Sequence, residues 1–125
     1  MKSPHTGVKR IIHAAGYSWK GFKSTWKHEA AFRQEVILFI FLVPFAFWIG
    51  ESAFERAILI AVLMIVLLVE LLNTAIESTV DRIGDDYHKL SGRAKDQASA
   101  AVFLSFFIAG MVWIGFIVSK IMGGL

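Results

Sequence analysis

The chain has 125 residues, of which 56% are hydrophobic and 18% are charged. Soluble domains contain about 45–50% apolar residues, so the composition is typical of a membrane protein, with one domain over residues 1–125. There is no cysteine, which excludes disulfides, iron–sulfur clusters, thiolate zinc sites and cysteine nucleophiles. The net charge of +3 is small, so the positions of the charges are more informative than their sum.

Residues 7–28 predict an amphipathic surface helix. Apolar side chains recur there at helical spacing, at Ile11, Ile12, Ala15, Trp19, Phe22 and Trp26. Lysines flank this apolar stripe, at Lys9, Lys20, Lys23 and Lys27. Basic residues beside aromatic ones favour a helix that lies on an anionic membrane surface. The alternative is a cytoplasmic helix that packs on a partner protein.

Three segments with almost no charge predict transmembrane helices at about 30–49, 56–80 and 97–119. The uncharged runs are 15 residues at 36–50, 20 residues at 57–76 interrupted by Glu70, and 23 residues at 97–119. A spanning helix needs about 20 apolar residues, which the first run reaches with Ala30, Ala31 and Phe32. Backbone polar groups in lipid must be satisfied internally, so the spans are helical. The predicted fold class is an all-α membrane protein with three spans and one surface helix.

The basic residues predict the orientation. Of 13 Lys and Arg, seven lie in residues 1–35 and four in residues 81–96. By the positive-inside rule the N-terminus and an 81–96 loop face the cytoplasm. The 50–56 turn and the C-terminus then face outward.

Glu70 is the strongest functional signal in the sequence, because a carboxylate within an apolar segment is costly and usually marks function. Asn73, Glu77 and Asp81 follow at spacings that place all four on one side of a helix. Acids this close need positive charge between them. It can come from Lys or Arg on another helix, or from Mg²⁺, which prefers oxygen ligands. The alternative is a polar seam that only holds helices together.

Further charges are expected at the same level of the membrane. The basic residues expected to pair with these acids are Arg10, Arg93 and Lys95. Glu29 lies at the junction between the surface helix and the first span. The ring so formed could hold a Mg-bound polyphosphate from the water and meet a lipid hydroxyl from the membrane. A soluble phosphate loop is absent, because Phe22 stands where that motif requires lysine after the second glycine.

The third span carries small residues at four-residue intervals, Ala101, Ser105 and Ala109. Small residues let helices approach closely in lipid, so we interpret this face as a packing face. Three helices leave little interior, and a polar site is easier to build between copies. We therefore expect a homo-oligomer.

Three polar blocks resemble the signature of the integral-membrane prokaryotic diacylglycerol kinase family, in its Gram-negative form. The blocks are 14–21 followed by 29–35, then 70–81, then 87–96 followed by Ser99, within a resemblance over about 7–115. The resemblance implies a homotrimer in the bacterial inner membrane that transfers the ATP γ-phosphate to diacylglycerol, giving phosphatidic acid, with Mg²⁺ as cofactor. No nucleic-acid partner is expected. The alternatives are a kinase of another lipid alcohol such as undecaprenol, and a membrane scaffold without activity.

The resemblance also implies roles for the matching residues. Glu70 is expected to be the catalytic base on the lipid hydroxyl, and Glu29 and Glu77 the Mg²⁺ ligands. The expected nucleotide contacts are Arg10, Tyr17, Glu29, Glu77, Asp86, Tyr87, His88, Lys95 and Asp96. The expected lipid contacts are Arg10, Ala14, Ala15, Gly16, Tyr17, Ser18, Trp19, Ala31, Glu35, Arg56, Glu70, Ser99 and Trp113. Asn73 and Asp81 are expected to support the site.

Overall fold

The computed structural model describes residues 6–84 and 88–123, which form four α-helices. In chain order these are α1 (Gly7–His28), α2 (Ala30–Ile49), α3 (Ala53–Ile83) and α4 (Lys89–Gly123). By length and composition, α2, α3 and α4 can each cross a membrane. The predicted all-helical class with three apolar helices of spanning length is confirmed.

The helices extend beyond the uncharged runs from which the spans were predicted. Residues 81–83 belong to α3 and residues 89–96 to α4, so the expectation of a loop over 81–96 is wrong for these positions. Likewise, α3 begins at Ala53, within the expected 50–56 turn. Charged residues indicate where a chain leaves the lipid, but they do not end a helix. Lys, Arg, Ala and Gln favour helix in water as well, so the helices continue beyond the membrane.

The core of the bundle lies where α3 packs on α2 and α4. Buried side chains from all three helices meet there: Phe39, Ala46, Ile49, Leu59, Val62, Leu63, Val66, Ala109 and Trp113. On α4 the buried small residues are Ala98, Ser105 and Ala109, whereas Ala101 is exposed. Two of the three predicted packing residues, Ser105 and Ala109, are therefore buried within the chain, and Ala98 rather than Ala101 is the third buried small residue. The Trp113 indole Nε1 donates to the Leu59 carbonyl at 3.0 Å and ties α4 to α3.

The connection between α2 and α3 is tight. Ser52 caps α3, because its hydroxyl accepts a hydrogen bond from the Glu55 amide at 3.1 Å. Arg56 donates through Nε to the carbonyls of Gly50 at 3.1 Å and Phe47 at 3.3 Å, at the end of α2. A Cβ on Gly50 would lie 2.7 Å from Arg56 Cγ and 3.0 Å from the Ala46 oxygen. Glycine is therefore required here by the close approach of the backbone.

The connection between α1 and α2 is a single residue. Glu29 has φ −116° and ψ 104°, which is extended, and it separates two helices that end at His28 and begin at Ala30. Its amide donates to the Thr25 carbonyl at 2.9 Å. The functional candidate Glu29 is thus placed by the corner itself.

Candidate active site

Glu70 lies on α3 with only 8% of its surface exposed. The carboxyl group of Glu35, on α2, is close enough to the Glu70 carboxyl group for the two to interact electrostatically. One oxygen of Glu35, Oε2, and the amide oxygen of Asn73 are buried and accept no hydrogen bond from the described residues. These groups are hydrogen-bond acceptors, so the cluster around Glu70 suits an incoming hydroxyl group.

Further along α3, the acidic residue Asp81 forms an ion pair with Lys95 of α4. Lys95 Nζ lies 2.7 Å from Asp81 Oδ1, and both side chains remain accessible to solvent. The hydrogen bond to Asp81 raises the pKa of Lys95, which precedes the uncharged 97–119 segment, and the nearby Glu77 carboxylate acts in the same direction. Lys95 therefore carries its charge at neutral pH. Among the described residues, Lys95 of α4 supplies positive charge to one of these acids, Asp81.

The donor set expected for Mg²⁺ consists of two half-buried carboxylates, Glu29 at the corner and Glu77 on α3. Within residues 6–84 and 88–123, no group of three or more His, Asp or Glu side chains is arranged to hold a metal ion. Mg²⁺ is usually bound through one or two carboxylates together with phosphate oxygens and water. The residues present therefore fit a Mg²⁺ ion that arrives with a nucleotide.

The first half of α1, up to Ser18, has no buried residue. Every residue from 6 to 24 is exposed, including the candidates Arg10, Ala14, Ala15, Gly16, Tyr17, Ser18 and Trp19. The second half of α1, from Trp19 onward, forms an apolar groove with α2 and α3, with a volume of about 880 Å³. Its lining includes Trp19, Phe22, Trp26, Phe32, Val36 and Leu67. Arg10 and Tyr17, two candidates for nucleotide binding, are therefore exposed in the single chain and are not packed against the acidic residues of α3.

Two expected lipid contacts lie far from Glu70. Arg56 is 14 residues before Glu70 on α3, which is roughly 21 Å at 1.5 Å per residue. Trp113 is buried and bonds to Leu59, roughly 16 Å along α3 from Glu70. Both side chains have packing contacts in this chain, so a lipid that reacted at Glu70 would reach them only with its acyl chains.

The other candidates are distributed around α4 and the segment before it. His88 Nδ1 accepts a hydrogen bond from the Leu90 amide at 3.1 Å, which gives His88 a capping contact at the start of α4. Asp96 and Ser99 are exposed on α4, and Ala31 is exposed on α2. Asp86 and Tyr87 lie outside the described residues.

Sequence reasoning missed the contact of Glu35 with Glu70, because the two residues are distant in the chain.

The helices and the acids together define a small membrane protein with a polar site toward one end of its bundle, and comparison with known proteins gives the family. A family model for prokaryotic diacylglycerol kinase matches residues 16–117. The chain is 51% identical over 113 residues to a diacylglycerol kinase of Escherichia coli (strain K12), covering 90% of this chain and 93% of the relative. It is 50% identical over 108 residues to one from Pseudomonas aeruginosa, covering 86% and 88%.

A third relative is the diacylglycerol kinase of Haemophilus influenzae, 46% identical over 110 residues and covering 88% and 93% of the two chains. The chain therefore belongs to the prokaryotic diacylglycerol kinase family. Membership confirms the family and the class of enzyme predicted from the sequence, an ATP-dependent diacylglycerol kinase of the membrane.

Proposed function

We propose that phosphoryl transfer takes place beside Glu70, with diacylglycerol as the acceptor and Mg-ATP as the donor. The observation that supports this site best is the buried Glu70 carboxyl group with acceptor atoms around it. The related proteins from Escherichia coli and Haemophilus influenzae are named as diacylglycerol kinases, which favours diacylglycerol over undecaprenol. A scaffold would need neither the buried acids nor the accessible lysine.

Glu70 acts as the general base in this proposal. The diacylglycerol hydroxyl oxygen forms a bond to the γ-phosphorus, the bond from that phosphorus to the β-bridging oxygen breaks, and ADP leaves. The hydroxyl proton passes to Glu70. The hydroxyl has only this one proton to donate, so Glu70 alone accepts it, and Asn73, three residues further along α3, is proposed to support the site.

Lys95 is paired with Asp81, roughly 16 Å along α3 from Glu70, so its proposed role is to bind the phosphate chain of the nucleotide on the water side of the site. Phosphoryl transfer depends mainly on positioning and on neutralising charge, and Lys95 is a stable cation that phosphate can reach from solvent. Asp81 holds Lys95 in place before the nucleotide binds. Glu29 and Glu77 would hold Mg²⁺, which supplies further neutralisation of the phosphate charge when bound.

The surface helix and the apolar groove provide an approach for lipid. The groove brings aromatic side chains of α1 against α2 and α3, and basic residues on α1 suit an anionic leaflet. The proposed location is the bacterial inner membrane, since 11 of 13 Lys and Arg lie in residues 1–35 and 81–96, which would face the cytoplasm. The 50–56 segment and the C-terminus would then be periplasmic.

The working form is proposed to be a homotrimer with sites shared between subunits. Two arguments support a shared site. Within one chain the exposed part of α1 carries Arg10 and Tyr17 away from burial against the acids, and acceptor atoms beside Glu70 have no donor among the described residues. A neighbouring copy can bring its α1 to the acids of this one.

The test is transfer of labelled γ-phosphate from Mg-ATP in mixed micelles, with diacylglycerol and undecaprenol offered side by side. We expect labelled phosphatidic acid to form only when Mg²⁺ is present, and we expect Glu70→Gln to form none. Label in the polyprenol product alone would replace the acceptor and keep the base. Transfer that persists in Glu70→Gln would show that Glu70 is not the base. If the folded protein transfers no phosphate to either lipid, the protein would instead be a membrane scaffold without activity.

A further inference from the structure

The corner between α1 and α2 is closed by one side chain that the proposed mechanism does not use. The last carbonyls of a helix have no partner within that helix. Arg33, in the first turn of α2, donates through Nη1 to the Trp26 carbonyl at 2.6 Å and to the Lys27 carbonyl at 3.1 Å. Both acceptors belong to the last turn of α1, so the guanidinium group caps one helix from the next.

The same residue also contacts the corner through its backbone. The Arg33 amide donates to the Glu29 carbonyl at 3.3 Å, and Glu29 in turn donates to Thr25 at 2.9 Å. Arg33 is therefore bonded both to α1 and to the single residue that joins α1 to α2. Because only Glu29 separates the helices, the angle between them and the position of the Glu29 carboxylate vary together.

We propose that Arg33 is a positioning residue that holds the carboxylate of Glu29 in place by fixing the α1–α2 corner. The inference rests on the proposed role of Glu29 as a Mg²⁺ ligand. Arg33 touches no reacting atom in this scheme. Its planar guanidinium has donors in a fixed arrangement, which lysine cannot reproduce, so Arg33→Lys is expected to restore the corner only in part.

The first experiment measures the Mg²⁺ concentration that gives half-maximal activity in four variants. Arg33→Met keeps an aliphatic side chain and removes the donors, Arg33→Lys keeps the charge, and Glu29→Gln alters the ligand. Lys120→Met is the matched control, since it removes one positive charge near Trp48, at the end of α2 opposite the corner. We expect about a 10-fold higher Mg²⁺ requirement in Arg33→Met, the size typical when a residue that orients a metal ligand is lost.

The Mg²⁺ requirement of Arg33→Lys should fall between those of the parent and of Arg33→Met, and that of Lys120→Met should match the parent. In Arg33→Met, kcat at saturating Mg²⁺ should change little. An unchanged Mg²⁺ requirement in Glu29→Gln would overturn the proposed role of Glu29, and with it the inference. A raised requirement in Glu29→Gln together with an unchanged one in Arg33→Met would overturn the inference alone.

The second experiment needs neither metal nor substrate. Because the chain has no cysteine, spin labels can be attached at Lys9→Cys on α1 and Ile40→Cys on α2, diluted with unlabelled protein to suppress distances between subunits. We expect a narrow distance distribution in the parent, a broad one in Arg33→Met and an intermediate one in Arg33→Lys. Equally narrow distributions in all three would overturn the inference, even where activity differs.

Discussion

At the scale of the residue, burial determines what Glu70 can do. A carboxylate with 8% exposure has lost most of its water, and its acidic neighbour Glu35 offers no positive charge in exchange. Such an arrangement is unfavourable for stability, since buried charge is tolerated only when it is paired. We infer that the site retains Glu70 for chemistry rather than for folding.

The first prediction concerns Glu70→Gln. The amide is similar in size but takes no proton, so kcat should fall by about 10²–10⁴-fold, the range for removal of a general base. Far-UV circular dichroism and elution volume in detergent should not change. Glu51→Gln is the control, because Glu51 is an exposed carboxylate near the opposite end of α3. A variant that is inactive because it is unfolded would not test the base, and Glu70→Asp then provides the second measurement.

The second prediction concerns the cation. Lys95→Gln should raise KM for ATP and lower kcat, because it removes the charge that faces the phosphates while leaving Asp81 unpaired in solvent. The loss should be about 10²-fold in kcat/KM, similar to the loss of one electrostatic donor in an active site. Steady-state kinetics with varied ATP checks this, with Lys89→Gln as an exposed lysine on the same helix. Unchanged kinetics would show that Lys95 only pairs with Asp81.

At the scale of the element, the third prediction uses two glycines. Gly50→Ala should destabilise the protein by about 1–3 kcal/mol, as overpacking does, because the new methyl group would meet the backbone of Ala46 and of Arg56 at 3.0 Å. Gly115→Ala is the matched control: Gly115 lies inside α4 with nothing within 4 Å of a Cβ, so alanine should stabilise the helix by up to about 1 kcal/mol. Unfolding in mixed micelles measures both. Equal stabilities would contradict the tight α2–α3 connection.

The helices themselves were largely readable from the sequence, whereas their ends and their pairing were not. The uncharged runs located α2, α3 and α4 because a lipid-spanning helix must be apolar for its whole length in the membrane. The ends were missed at residues 81–83 and 89–96, because helix propensity and capping continue in water.

The candidate site was also predictable only in part from the sequence. The stripe from Glu70 to Asp81 follows from helical spacing, and the need for a lysine from another helix was anticipated. The contact of Glu35 with Glu70 and the Arg33 cap depend on how α2 packs against its neighbours, which no local pattern specifies. The individual roles rest on the family resemblance and stay predictions.

At the scale of the whole molecule, orientation is the fourth prediction. Glu51→Cys should react with a membrane-impermeant thiol reagent added to intact spheroplasts, because the α2–α3 connection is expected to face the periplasm. Lys89→Cys should react only after the membrane is opened. The chain has no other cysteine, so each label reports one position. The reverse pattern would invert the proposed topology and place the acids of α3 away from cytoplasmic ATP.

The fifth prediction tests whether a site is shared between subunits. Tyr17 lies on the exposed part of α1, whereas Glu77 lies on α3, so one site in a trimer can take them from different chains. Tyr17→Ala and Glu77→Gln should each have little activity alone. When they are unfolded together and reassembled in equal amounts, random association should rebuild up to about one quarter of the sites with both native residues.

Such recovery requires that α1 of one subunit serve the acids of another, because a site built within one chain would carry a defect in every subunit. Reassembly of Glu70→Gln with Glu77→Gln is the matched control, since both residues belong to α3 and no mixture of these chains contains an intact helix. Recovery in the first mixture but not in the second would establish that α1 acts on a neighbour. No recovery in either mixture would place the whole site within one chain, and the exposed α1 would then have to fold back on its own α3 when substrate binds.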